Sequence, residues 1–146
     1  ALNQNKINNF TEYIDDYDAG IQIENKYQQT DISFSPNVII GGVVSLFPLR
    51  QKTNNKFENF SIDIQPKYVG KQFLDNTSNP NRMLSDFYTT VLMLQFPYQF
   101  REKQKINFRA GLYNIFNYRY AARGYTFSYK YNNQLSTFNY YYPQAG

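Results

Sequence analysis

The chain has 146 residues, a formal net charge of +4, and neither cysteine nor histidine, which excludes a disulfide scaffold and a thiolate metal site. Its mean hydropathy of −0.64 is too polar for a bundle of membrane helices, yet 19% of the residues are aromatic. The basic residues are scattered, with no Lys/Arg stripe or glycine-rich RNA-binding motif, so a nucleic-acid partner is not expected.

Taken in chain order, residues 2–10 read as the upper end of a strand. They are followed by a long irregular stretch, 11–37, that carries Glu12, Asp15, Asp16 and Asp18. These carboxylates have the oxygen chemistry of a hard-cation site but not the spacing of an EF-hand loop. A solvated loop explains them as well, and no metal is expected. Residues 38–47 form the longest apolar run. It falls short of the roughly 20 residues of a spanning helix and matches the roughly 9–11 of a spanning strand.

After a link at 48–59, residues 60–68 alternate with period two. Phe60, Ile62, Ile64, Pro66 and Tyr68 fall on one face, and Ser61, Asp63, Gln65 and Lys67 on the other. A second long link, 70–86, leads to residues 88–96, with Tyr88, Thr90, Leu92, Leu94 and Phe96 on one face. A short charged link, 97–105, leads to residues 106–113, where Ile106, Phe108, Ala110 and Leu112 alternate with Asn107, Arg109, Gly111 and Tyr113. The last long stretch, 118–146, contains a candidate hairpin of residues 125–131 and 137–142 around Asn132-Asn133. Short and long links that alternate are the pattern of an outer-membrane barrel, with turns on the periplasmic side and long loops outside.

Catalysis has little support. The commonest general base and the most reactive nucleophile are absent. No G-x-S-x-G elbow or phosphate-binding glycine loop is present, so no catalytic residue and no cofactor are expected. Tyr68, Tyr88 and Tyr118 suit a membrane girdle, with the ring at the lipid boundary and the hydroxyl in water. Asn114 and Asn117 are read as satisfying backbone groups where a strand ends.

Several segments together resemble the TonB-dependent receptors of Gram-negative outer membranes. Asn114-Ile115-Phe116-Asn117-Tyr118-Arg119-Tyr120 is similar to the family's Asn-x-Phe-Asn/Asp-x-x-Tyr element near the end of the penultimate strand. Tyr68-Val69-Gly70-Lys71-Gln72-Phe73-Leu74-Asp75-Asn76-Thr77 resembles the family's tyrosine-rich strand end. Asp31-Ile32-Ser33-Phe34-Ser35-Pro36-Asn37 resembles the proline-containing start of an earlier downward strand. Gly124-Tyr125-Thr126-Phe127-Ser128-Tyr129 and Tyr141-Tyr142-Pro143-Gln144-Ala145-Gly146 look like the last external loop.

The resemblance implies an all-β fold: a transmembrane antiparallel β-barrel of about 22 strands, of which residues 1–146 are the C-terminal part. The plug domain, the TonB box, the earlier strands and the last strand would lie outside this sequence. It implies uptake of a scarce nutrient such as a ferric siderophore across the outer membrane. The implied partners are outer-membrane lipid, a small-molecule or metal-chelate ligand, the TonB-ExbB-ExbD system reached through the N-terminal parts, and a surface lipoprotein. Ligand contact is expected from Tyr120, Tyr125, Tyr129 and Tyr140, because rigid aromatics give contact area at low entropic cost. Two rival readings stand beside this one. One is a structural or scaffold barrel without its own transport; the other is a soluble β-sandwich whose apolar faces meet a second sheet.

Overall fold

The structure is a computed structural model that describes residues 1–49, 59–101 and 104–144. The link at 48–59 lies largely outside the described residues. The fold is all-β, with no helix among the described residues. The chain divides into two units. One comprises Ala1–Ile39, Val69–Phe87 and Arg119–Ala145; the other comprises Ile40–Tyr68 and Tyr88–Tyr118.

The second unit is a sheet in the order β3 (Ile39–Gly41), β5 (Ser61–Val69), β8 (Phe87–Arg101), β9 (Gln104–Leu112), with β4 (Val44–Leu46) also pairing with β5. The single strand expected over residues 38–47 is thus two short pieces. The cause sits opposite the break. Gly42 N–H donates to the Pro66 carbonyl at 3.2 Å, in the same register as Val44 opposite Ile64. Proline has no N–H with which to return the bond, so the ladder is interrupted there. The link expected at 97–105 is also shorter than the sequence implied. β8 runs through Pro97 to Arg101, because the proline's fixed φ suits extended backbone.

Register sorts this sheet by polarity. Residues directly opposite each other share a face. Val44 faces Ile64 and Leu46 faces Ile62. Leu92 faces Leu112, Leu94 faces Ala110, Phe96 faces Phe108 and Tyr98 faces Ile106. On the other face Ser45 meets Asp63, Gln95 meets Arg109 and Gln99 meets Lys105. The Phe60 and Phe96 rings stack 4.6 Å apart, which joins the apolar side of the β5 strand to that of β8. On the polar side Gln95 donates to Asp63 at 2.5 Å. The strands β4 and β9 are exposed on both faces, but on the inner strand β5 the polar Ser61 and Asp63 are covered, at 5% and 6% exposed, while the apolar Ile62 and Ile64 beside them are only half-buried. A soluble sheet shows the reverse.

The first unit is built of hairpins. β1 (Lys6–Asp16) pairs antiparallel with β2 (Ile21–Asp31), and β10 (Tyr120–Tyr131) with β11 (Gln134–Gln144); the sheet order is β11-β10-β1-β2. A short hairpin of β6 (Gln72–Phe73) and β7 (Met83–Leu84) belongs to the same unit. Most of the stretch 11–37, expected to be irregular, is therefore hairpin, while the candidate hairpin of 125–131 and 137–142 is present and longer than expected, reaching from Tyr120 to Gln144. The expected turn at Asn132-Asn133 is present, both residues having positive φ (52° and 58°), the geometry of a tight hairpin turn that asparagine tolerates. Ile14, Leu74, Leu84 and Phe87 form the small apolar core of this unit.

Candidate functional site

The tips of the two long hairpins clasp each other. The Asp16 carboxylate accepts from the Asp18 and Ala19 amides, and Gly20 takes the positive φ of 65° that closes the turn. Asp18 in turn accepts from the amides of Asn132 and Asn133 at 2.9 and 2.8 Å. Lys130 donates to Asp16 at 2.8 Å. That bond, opposed by burial and helped by the turn amides, holds the Asp16 carboxyl below the usual carboxylate range. The same bond raises Lys130 above the usual lysine range.

Glu12, Asp15, Asp16 and Asp18, the acids that suggested a cation site, are thus engaged by protein donors. Asp15 accepts from Gln22, and Glu12 from Arg82, Asn25 and Tyr27. Among the described residues no group of three or more metal-ligating side chains comes together.

β1 and β10 run parallel and pair only at Asp15 with Tyr129 and Asp16 with Lys130. A cleft of about 470 Å³ is lined by both strands and by residues of the 75–82 loop. Arg82 lines it, with its side chain 6% exposed. Its Nη1 donates to Glu12 Oε1 at 2.5 Å and to Asp75 Oδ2 at 2.7 Å, and its Nη2 donates to Ser128 Oγ at 2.7 Å. Burial works against the guanidinium charge, but the bonds to Glu12 and Asp75 outweigh it and its pKa lies above the ordinary arginine value. Burial, followed by the bond to the Glu12 carboxylate, raises Tyr27.

The loop itself is tied down. Asp75 Oδ1 accepts from Thr77, Ser78 Oγ donates to Asp31, and Asn76 Oδ1 accepts from the Ser33 amide. Asp31 is also bonded by Lys6, which more than offsets burial and lowers its pKa, with help from Ser78.

Three of the four tyrosines expected to contact ligand come together. Tyr125 and Tyr140 stack across β10 and β11 at 4.9 Å, and Tyr129 stacks on Phe138 at 5.8 Å, with Phe127 between them. The planes are nearly parallel, so ring faces meet ring faces, and such cross-strand pairs contribute roughly 0.2–1 kcal/mol each. Tyr120 does not join this row. The register shifts between Ala121 and Arg123, and Tyr120 stacks instead on Phe87 at 4.3 Å.

Of the girdle tyrosines, Tyr88 and Tyr118 stack on each other at 4.4 Å in the second unit, and Tyr68 is 36% exposed there. Asn114, at positive φ, brackets Tyr118: its Nδ2 donates to the Tyr118 carbonyl and its Oδ1 accepts from the Tyr118 amide.

Arg82 and Asp75 escaped the sequence reading. Glu12 was seen only as one of several acids. Seventy positions separate Arg82 from Glu12, and no local pattern announces their pairing. No family model matches the chain, and no curated protein and no solved structure matches it.

Proposed function

We propose that this chain is wall and external loop of an outer-membrane β-barrel of the TonB-dependent receptor type, which takes up a scarce nutrient such as a ferric siderophore. The observation that carries the reading is the inverted polarity of the β3-β5-β8-β9 sheet. On its inner strand β5 Ser61 and Asp63 are covered while Ile62 and Ile64 stay half-buried, and Leu46, Ile106, Phe108 and Leu112 on the apolar face are 45–64% exposed. Exposed apolar area of this extent is rare on a soluble monomer and marks a surface meant for lipid or a partner. Strands that alternate apolar-out and polar-in are what a membrane barrel requires. On this reading capture of ligand falls to external loops of the receptor, and the coupling to TonB-ExbB-ExbD resides in other parts of the protein.

The test uses the full chain in its host. Heat-modifiable migration of outer-membrane protein, together with uptake of labelled ferric chelates that is lost when TonB is removed, supports the proposal. A folded barrel whose deletion leaves uptake unchanged makes it a scaffold of a larger assembly. A detergent-independent soluble protein rejects the membrane reading.

A further inference from the structure

We infer that the aromatic face of the β10-β11 hairpin is a self-association surface, on which a second copy of this chain packs face to face with its strands antiparallel. The inference concerns assembly and does not depend on transport.

Tyr125, Phe127 and Tyr131 of β10 and Phe138, Tyr140 and Tyr142 of β11 stand on one face of the hairpin, and each is 39–56% exposed. In the centre of the row the planes lie within 3–21° of one another, so ring faces turn to neighbouring rings and ring edges to solvent. No open ring face is left there for a flat ligand to stack on. With about 100 Å² of each ring exposed, the face offers about 600 Å² per copy and about 1,200 Å² in a dimer, the lower end of the range for a specific interface. An apolar patch of this size is at the upper limit of what a monomer exposes.

Charge fixes the direction in which the copies meet. Arg123, opposite Tyr142, stands at one end of the face, and Asp15, opposite Tyr129, stands at the other. Both are exposed, and among the described residues neither enters an ion pair. Copies with parallel strands would set Arg123 against Arg123. Antiparallel strands set it against Asp15 of the partner subunit, twice in each dimer. The strand that carries Asp15 is one strand spacing, about 4.8 Å, from β10, which a long arginine side chain spans.

Shape selects the same arrangement. A two-fold axis that brings the Arg123 row over the Tyr129 row also brings Tyr125 and Tyr140 of one copy over Phe127 and Phe138 of the other. A tyrosine projects one hydroxyl beyond a phenylalanine, so the taller row meets the lower one. Self-complementarity of this kind is what a two-fold interface requires.

Sedimentation of the full chain in detergent, over a range of protein concentrations, is expected to show a monomer–dimer equilibrium. Arg123→Asp and Asp15→Arg should each weaken the dimer at least about ten-fold, and the double variant should restore it to within about three-fold. Both side chains are exposed, so the melting temperature should change little in all three. Phe127→Tyr, which adds a hydroxyl to an exposed ring edge, should weaken the dimer and leave the fold intact. A chain monomeric at every concentration, a dimer indifferent to both charge reversals, or a double variant no better than the singles would each overturn the assignment. In the first of these cases the face belongs to lipid or to another molecule. Dimerisation of a protein that fails to transport leaves this inference standing.

Discussion

Gln95 Nε2 donates to Asp63 Oδ2 at 2.5 Å across β8 and β5, although 32 positions separate the two residues. The bond fixes which face of each strand is polar, and with it the face on which Leu92, Leu94 and Phe96 stand. On the proposed membrane reading that face meets lipid, and Leu94→Arg should then impair assembly, since a cation facing lipid near mid-membrane costs about 2–4 kcal/mol. Asn107→Arg, on the opposite and polar face, should be far milder. The fraction of heat-modifiable folded protein reads both, and equal loss from the two substitutions would reject the register-to-membrane assignment.

Removing Arg82 should be the most damaging single change in the first, hairpin-built unit. Arg82→Ala leaves Glu12 and Asp75 buried without their cation, and breaking a buried pair in this way costs roughly 3–5 kcal/mol. Glu12 and Asp75 side chains are only 13% and 22% exposed, so water cannot fully replace the guanidinium. Limited proteolysis should cut within residues 75–82 in Arg82→Ala at protease levels that leave the unaltered protein whole. Glu12→Gln with Asp75→Asn, combined with Arg82→Met, should restore part of the resistance.

The clasp between hairpin tips should respond to acid. Asp16 has its pKa lowered in the fold from an ordinary 3.8. A carboxyl with a depressed folded pKa contributes stability that is present above the unfolded value and lost as pH falls through the folded one. Lys130, raised from 10.5, loses its contribution only as pH climbs past its folded pKa. Amide-exchange protection at Asp18 and Ala19 should hold at neutral pH and fade below about 3.8, the usual carboxylate value. Asp16→Asn should show weakened protection with no such step. A step of equal size in the Asn variant would assign it to another group.

Gly124 should not tolerate a side chain. A Cβ there would collide with the Tyr140 carbonyl oxygen and stand 2.9 Å from a methyl of Leu74, so backbone has to move. Overpacking of this kind typically costs about 1–3 kcal/mol. Gly124→Ala should lower the melting temperature and disturb the near-parallel Tyr125–Tyr140 stack, visible in the near-ultraviolet circular dichroism. Gly42→Ala, with open space at its Cβ, serves as the control.

Sidedness follows from the proposed orientation. Single cysteines at the exposed Gln134 and Gln104 are probed on intact cells with a membrane-impermeant maleimide. Labelling at 134 but not at 104 is expected, and the reverse would invert the topology.

The four apolar or alternating segments of the second unit were legible in the sequence because the side-chain period of a strand is two. Residues 60–68, 88–96 and 106–112 carry that period openly, and their opposite faces differ in polarity. The turn at Asn132-Asn133 was legible for an equally local reason: few residue types accept positive φ. The break of β3 from β4 was not, because its cause, Pro66, stands on another strand. The second half of β1 and all of β2 fall in a stretch expected to be irregular because both of their faces carry polar residues, as in Ile21-Gln22-Ile23-Glu24-Asn25-Lys26-Tyr27, where only Ile21, Ile23 and Tyr27 hint at alternation after the Asp18-Ala19-Gly20 turn. The site lay further out of reach. That Glu12 and Ser128 meet Arg82 from 70 and 46 positions away, that β1 and β10 pair across 114, and that a bulge takes Tyr120 out of the row of Tyr125, Tyr129 and Tyr140 are all decided by tertiary contacts. Local propensity carries no record of such pairings; only the packed chain brings Glu12, Asp75 and Ser128 around one guanidinium.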